Sequence, residues 1–527
     1  MSGVTRRGAL LGGALLAAPR LGSAQARRPL RFIPQSDLGV LDPIWTAAYV
    51  TRNHGLMVFD TLYGMDDDYR MSPQMLEGHR IERDGREWLL TLREGLRFHD
   101  GEPVRAQDCV ASIRRWGARD GFGQSLLAAT EELAAPDDRS IRFRLKHPFP
   151  LLPDALGKAG SNICAIMPER LANTDPFRQV TEMIGSGPFR FKADERVPGS
   201  RVVYERNPHY VPRGEGTATF TAGPKHAHVE RVEWHVLPDP ATAAAAMQSG
   251  EMDWWENPTF DLLPLLRRGG RIAVAVQERT GYMGTLRFNH LNPPFSNAAL
   301  RRAVLGAVQQ EDFMTAVAGS ERGGWNAPVG FFCPGTPMAS AAGMEALTSP
   351  RDLDKVRREV AASGYAGERV VVLLPTDFPT LKALGEVGAD MLKRIGLAVE
   401  VQAMDWGTTI QRLAKTEPVE QGGWSVFHTY WSGLDQLTPA VHASLRATGR
   451  AASRGWPTSE RLEALRDQWL AATELPDQQR IAAEIQRQAF IDVPYVPLGQ
   501  MMAPTAYRRE LSGVLNGFAL FWNLRRG

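Results

Sequence analysis

The chain has 527 residues, 23% of them charged and 43% hydrophobic, with a formal net charge of +2. That length provides for two or three domains around a large core. Residues 1–26 hold Arg6, Arg7 and Arg20 and no acid, so the remainder sums to 2 − 3 = −1, which gives no electrostatic case for nucleic acid or an anionic membrane.

The first element reads as a targeting segment. Thr5-Arg6-Arg7 precedes an apolar run from Ala9 to Ala18, and Ala24-Gln25-Ala26 follows as a small-residue cleavage pattern. The run is too short to span a bilayer, so a signal peptide over residues 1–26, cleaved near Ala26, is expected. The arginine pair suggests twin-arginine export, with the general secretory route as the alternative. No later stretch reaches about 18 uninterrupted apolar residues, so the mature chain is expected free in solution.

Arg31 to Pro34 reads as a first strand, followed by Gln35-Ser36-Asp37. From Ser72 to Trp116 the pattern is strand, turn, strand, turn, helix. Asp84-Gly85 supplies the first turn, since glycine tolerates positive φ. Trp88, Leu90 and Leu92 alternate along the second strand, Asp100-Gly101 ends the run Leu96 to His99, and Ala106, Val110, Ile113 and Trp116 recur at helical spacing. Ile141 to Leu145 alternates as a strand, and Pro148, Pro150 and Pro153 then break the chain. Ile184 to Phe189 is a glycine turn opening into a strand at Phe189-Arg190-Phe191, so the helix a phosphate site requires is missing. Asp239-Pro240 starts a helix that Gly250 ends, and Met252-Asp253-Trp254 reads as a strand in which Asp253 is solvated or capping. Helices are expected at Leu353 to Ser363, Leu381 to Ile395 and Pro476 to Phe490. Strands are expected at Arg369 to Leu374, Leu397 to Ala403 and Gly422 to Phe427. Alternating helix and strand argues for an α/β fold, with helices packed on a sheet. Cys109, Cys164 and Cys333 are widely spaced and odd in number, and all three are expected as buried thiols.

Enzyme signatures are missing: there is no G-x-S-x-G, H-E-x-x-H or G-x-x-x-x-G-K-[ST], and no complete G-x-G-x-x-G. His226-Ala227-His228, near His235, is the one histidine cluster; it reads as exposed, with adventitious metal binding as the alternative. Trp424, Tyr430 and Trp431, followed by Ser432-Gly433, suit a ligand wall of flat faces and accessible backbone N–H groups; core packing is the rival reading. Asp377 and Phe378 follow one α/β strand and Asp405-Trp406 the next, where such sites lie.

Leu92-Arg93, Gly95, Phe98-His99-Asp100-Gly101, Pro103-Val104, Ala106 and Asp108 together resemble the signature of the extracytoplasmic solute-binding proteins of peptide-type ABC transporters. Gly185-Ser186-Gly187-Pro188-Phe189, Asn207-Pro208-His209-Tyr210, Ser249-Gly250-Glu251-Met252-Asp253 and Pro293-Pro294-Phe295 with Leu300-Arg301 and Ala303 extend the resemblance over nearly the whole mature chain. The resemblance implies a periplasmic receptor with two lobes hinged around a central cleft, and Tyr495 to Leu498 and Phe518 to Asn523 resemble the strands by which such a chain returns to its first lobe. An extra inserted subdomain is expected over residues 58–182. The first lobe would comprise 27–57, 183–277 and 485–527, and the third region 278–484. The expected function is capture of a short peptide or peptide-like compound, without cofactor, and its delivery by a monomer to an inner-membrane ABC permease and its ATPase.

Ligand contact is expected at Tyr430, Trp431, Ser432, Gly433, Asp435, Trp406, Asp377, Phe378, Ser36 and Asp37. In the family's W-x-G-D segment the aspartate pairs with the peptide α-amino group. Here Leu434 holds that place and Asp435 comes one later. A leucine neutralises no ammonium. The ligand therefore lacks a free amine, or Asp435, Asp37 or Asp377 takes over the pairing. Nickel chelate, haem, or an amine-free compound such as a sugar or opine are the rival ligands. An exported hydrolase and a receptor feeding a sensor kinase are the rival functions.

Overall fold

The computed structural model describes residues 28–320 and 323–527. The export segment expected over residues 1–26 lies outside them. An eleven-stranded mixed sheet organises the chain. At one end the parallel pair Arg369–Pro375 and Ala398–Met404 runs beside Val426–Ser432. At the other end Leu30–Ile33 lies parallel to Arg231–His235 and to Trp254–Trp255. Two long antiparallel strands, Ile272–Phe288 and Tyr495–Arg508, join the two ends. Helices Ala298–Ala307, Gln310–Ala318, Pro379–Arg394 and Leu475–Asp492 supply buried apolar side chains to the core at the first end. The α/β expectation holds.

A separate four-stranded antiparallel sheet lies within residues 76–145. Leu76–Glu82 pairs with Glu87–Leu92 down to Glu82↔Glu87, and positive φ at Arg83, Asp84 and Gly85 closes the turn. Trp88, Leu90 and Leu92 are buried and Ala106–Gly117 packs behind them as a helix. The signature residues are structural. The Asp108 carboxylate accepts from the Arg105 and Glu169 backbone N–H groups at 2.8 and 2.7 Å. His99 meets the glycine turn: its backbone N–H donates to Gly185 O at 2.8 Å, and Nε2 lies 3.0 Å from Gly187 O. A side chain at position 185 would put a Cβ 2.1 Å from Val58 O, so the turn admits glycine alone there.

Four expectations change. Leu96 to His99 makes only an isolated bridge, between Arg97 and Pro103. Phe518 to Asn523 is not a strand; Phe518, Ala519, Leu520, Phe521 and Trp522 are all buried, so no alternation of faces drives pairing there. The expected strand Gly422 to Phe427 instead runs Val426–Ser432, carrying Tyr430 and Trp431 into the sheet opposite Gly284 and Met283. Asp253 is neither solvated nor a cap: it is fully buried and ion-paired to Arg526 at 2.6 Å, because the C-terminal strand returns beside it. Cys109, Cys164 and Cys333 are buried free thiols, as expected.

Candidate functional site

The two joining strands pair from Ile272↔Arg508 to Arg287↔Tyr495, but their register breaks between Val276 and Glu278, between Glu278 and Tyr282, and between Met283 and Thr285. Such irregularities bend a strand and re-aim its side chains. Beside them lies a cavity with about 420 Å³ of space not filled by protein, open solvent at its mouth included. Arg52, Trp254, Glu256, Glu278, Tyr282, Ser432, Thr505 and Phe518 are among its walls.

Its three charged groups differ in what already holds them. Arg52 projects from helix Tyr49–Val58 and is 4% exposed. Its Nε and Nη2 donate to Asn53 Oδ1 at 3.2 and 3.0 Å, and its guanidinium carbon sits 3.5 Å from the centre of the Phe518 ring. Among the described residues it has no carboxylate within 4.0 Å. Glu256 is saturated: Oε1 accepts from Asn53 Nδ2 at 2.7 Å and Gln35 Nε2 at 3.4 Å, and Oε2 from the Gln35 N–H at 2.8 Å. Glu278 is half engaged. Its Oε1 accepts from the Thr280 N–H and hydroxyl at 2.8 and 2.7 Å, while the buried Oε2 has no partner. Burial pushes both glutamates above the usual carboxylate range.

Aromatic rings run outward from the cavity. Tyr282 stacks on Tyr49 at 5.9 Å and meets Tyr430 at 4.8 Å between centroids. Phe378 lies 6.2 Å from Tyr430 and 6.2 Å from Trp406. Five residues from separate sequence segments thus make one wall, and three of them, Tyr430, Phe378 and Trp406, were expected.

The other expected positions are distributed differently. Ser432 lines the cavity, and its backbone N–H donates to the Tyr49 hydroxyl at 2.5 Å. Trp431 is half-buried, with an indole N–H lacking a partner. Gly433 is needed for close packing, since a Cβ there would come 2.4 Å from Thr280 O. Leu434 is 2% exposed and packs into the core beside Leu437. Asp435 is buried and taken up by the protein: Oδ1 accepts from the Ser161 N–H and hydroxyl at 2.8 and 2.9 Å, Oδ2 from Tyr49 at 3.0 Å. Asp377 accepts from the Trp406 N–H at 2.8 Å and is otherwise exposed. Ser36 and Asp37 are half-buried and outside this cavity; their neighbour Gln35 bonds Glu256 instead.

Sequence reading did not single out Tyr49, Arg52, Glu256, Glu278 or Tyr282. Nothing local marks Arg52: its helix carries Thr51, Asn53 and His54 as well, and only the structure shows every residue of it buried. Glu278-Arg279-Thr280-Gly281 does interrupt a mainly apolar strand, with a glycine at φ 53°.

Nothing in this arrangement pairs a nucleophile with a base. Among the described residues no group of three or more His, Cys, Asp or Glu stands close enough to hold a metal ion. His226 and His228 are exposed, their rings 5.9 Å apart. No described helix is long and apolar enough to cross a membrane. The arrangement suits non-covalent capture of a small polar molecule against aromatic faces.

Comparison with known proteins agrees. The family model for bacterial extracellular solute-binding proteins, family 5, matches residues 70–451. A probable peptide ABC transporter periplasmic-binding protein of Sinorhizobium fredii, y4tO, is 36% identical over 98% of each chain. The fold superposes on the binding protein AgaA of A. tumefaciens R10, solved with agropinic acid, with a TM-score of 0.79 at 18% identity over 95% of this chain and 99% of that one. It also superposes on a dipeptide-binding protein of Pseudoalteromonas sp. SM9913, solved with Met-Leu, with a TM-score of 0.78 at 18% identity over 95% and 100%. At that identity the two structures speak for the two-lobed periplasmic-binding-protein fold alone. By its family model and its full-length relative, this chain belongs to the bacterial extracellular solute-binding proteins, family 5.

Proposed function

We propose that the chain is the receptor of an ABC importer, capturing a short peptide or peptide-like compound in the cavity beside the joining strands and presenting it to a permease and its ATPase. The observation that carries the reading is the cavity itself: it mixes one buried cation, two carboxylates and aromatic faces at the place where two irregular strands join the halves of the sheet. Apolar walls with a few placed polar groups are the usual make-up of small-ligand sites.

In this reading residues 27–57, 183–277 and 485–527 form one lobe, 278–484 the other, and 58–182 an inserted subdomain. The location of the register breaks near residue 278 and the separate sheet within 76–145 support that division. Lobes that rotate about the two strands close the aromatic wall of Tyr430, Phe378 and Trp406 over the solute. The chain acts in the periplasm, as the family membership and the name of its relative support; export through residues 1–26 and action as a monomer belong to the same reading.

The test is thermal unfolding of solute-stripped protein with a pool of di- to pentapeptides. A ligand at 100 times its dissociation constant adds roughly 2.7 kcal/mol, enough to move the midpoint. A rise with the pool supports the peptide reading; an unmoved midpoint removes it.

A further inference from the structure

The cavity holds two charged side chains whose bonding is incomplete. Glu278 has one oxygen bound by Thr280 and one, buried, that accepts nothing. Arg52 is more than nine-tenths buried, hydrogen-bonds Asn53 alone and lies over the Phe518 ring; its charge acts on Glu256 and Glu278, but it has no carboxylate within 4.0 Å among the described residues. A buried acceptor or cation without a counterpart is costly in isolation and becomes favourable when a ligand supplies the missing group. The other acids do not compete for that part. Glu256 has both oxygens bonded by Gln35 and Asn53, Asp435 is filled by Ser161 and Tyr49, and Leu434 is packed into the core.

We propose that Glu278 receives the cationic nitrogen of the ligand through its unpartnered Oε2, while Arg52, which lines the same cavity, receives the ligand's carboxylate. The site is then selective for compact zwitterions, and the ammonium partner has moved from the tryptophan-glycine segment to the irregular joining strand. The shift has a mechanical consequence. Glu278 sits between two of the register breaks, where the strands' pairing is weakest, so a solute bound there bridges the element that lobe rotation must bend. The inference rests on the receptor reading above and narrows it to a charge pattern.

The test compares three pools of the same dipeptides on solute-stripped protein: free, N-acetylated and C-amidated. For the wild type both blocked pools are expected to bind at least tenfold more weakly than the free pool. Glu278→Gln keeps the shape of the side chain and a carbonyl acceptor for Thr280. It is expected to bring the free and N-acetylated pools within about twofold of each other while still rejecting the amides. Arg52→Gln is expected to do the reverse. Unfolding of the unliganded variants in urea confirms that each is folded. If Glu278→Gln discriminates against acetylated dipeptides as strongly as the wild type does, the assignment is overturned although the peptide reading stands. If no dipeptide pool binds the wild type, the peptide reading falls and the charge pattern is tested with arginine, γ-aminobutyrate and carnitine. Binding of one of these that Glu278→Gln weakens tenfold upholds the assignment, and binding of none overturns it too.

Discussion

The Tyr49 hydroxyl donates to Asp435 Oδ2 at 3.0 Å and accepts from the Ser432 N–H at 2.5 Å, tying the helix Tyr49–Val58 to the end of the strand that carries Tyr430. Asp435 also holds the Ser161 N–H and hydroxyl. The carboxylate that a one-residue shift offers as an amine partner thus joins three segments of the protein. Asp435→Ala strips three buried donors of their acceptor. It is expected to lower unfolding free energy by about 3 kcal/mol, measured in urea, while leaving discrimination between free and acetylated dipeptides unchanged. Normal stability with lost discrimination would place the amine at Asp435.

Tyr430 touches Tyr282 at the cavity wall and Phe378 further out, and Trp406 follows Phe378. Aromatic contacts of this kind contribute about 0.5–1.5 kcal/mol beyond burial. Tyr430→Ala is expected to weaken solute binding roughly tenfold and Trp406→Ala a few-fold, read by calorimetric titration. Equal affinities in both variants and the wild type would make the wall mere packing.

The latch between the signature stretch and the glycine turn leaves no room for a methyl group at position 185, where a Cβ would lie 2.1 Å from Val58 O and 2.7 Å from the Phe59 ring. Gly185→Ala is expected to destabilise the chain by about 3 kcal/mol. Circular dichroism on urea titration measures this, and a loss within 0.5 kcal/mol, roughly the scatter of neutral surface changes, would show that the turn yields.

His54 and His442 are fully buried, and burial pushes each ring down to about 3. In the unfolded chain a histidine titrates near its ordinary value, about 6.5. Between these values the unfolded state binds the extra proton, so stability falls as pH drops below about 6.5 and gains nothing above it. Each ring contributes a slope of about 1.4 kcal/mol per pH unit in that window. His54→Gln is expected to flatten the dependence of unfolding free energy between pH 6.5 and 5 by that amount relative to the wild type. Parallel curves would contradict it.

Much of the scaffold was legible in the sequence because its signals are local. Asp239-Pro240 and Gly250 bound the helix Pro240–Ser249 as read, with Asp239 accepting the Thr242 N–H and Gly250 at φ 80°. The strand Arg369–Pro375 and the helix Leu353–Ala362 likewise follow from runs of fixed period. Of the two joining strands only Tyr495 to Leu498 was read, because the alternation of the rest is broken by the very register shifts that shape the site. Tyr430 was singled out as an aromatic ahead of Ser432-Gly433, and Phe378 and Trp406 by their place after strand ends, with the resemblance adding weight. Arg52 and Glu278 were not, because a buried charge in an apolar context is meaningful only once its missing counterpart is seen in three dimensions.

The most direct measurement is identification by mass spectrometry of what the natively purified protein releases when denatured. The expected result is one compact zwitterion per chain, of dipeptide size, carrying a cationic nitrogen and a carboxylate. A stoichiometric neutral sugar, or an anion without a cationic nitrogen, would contradict the assignment of Glu278 and Arg52 as the two ends of the site.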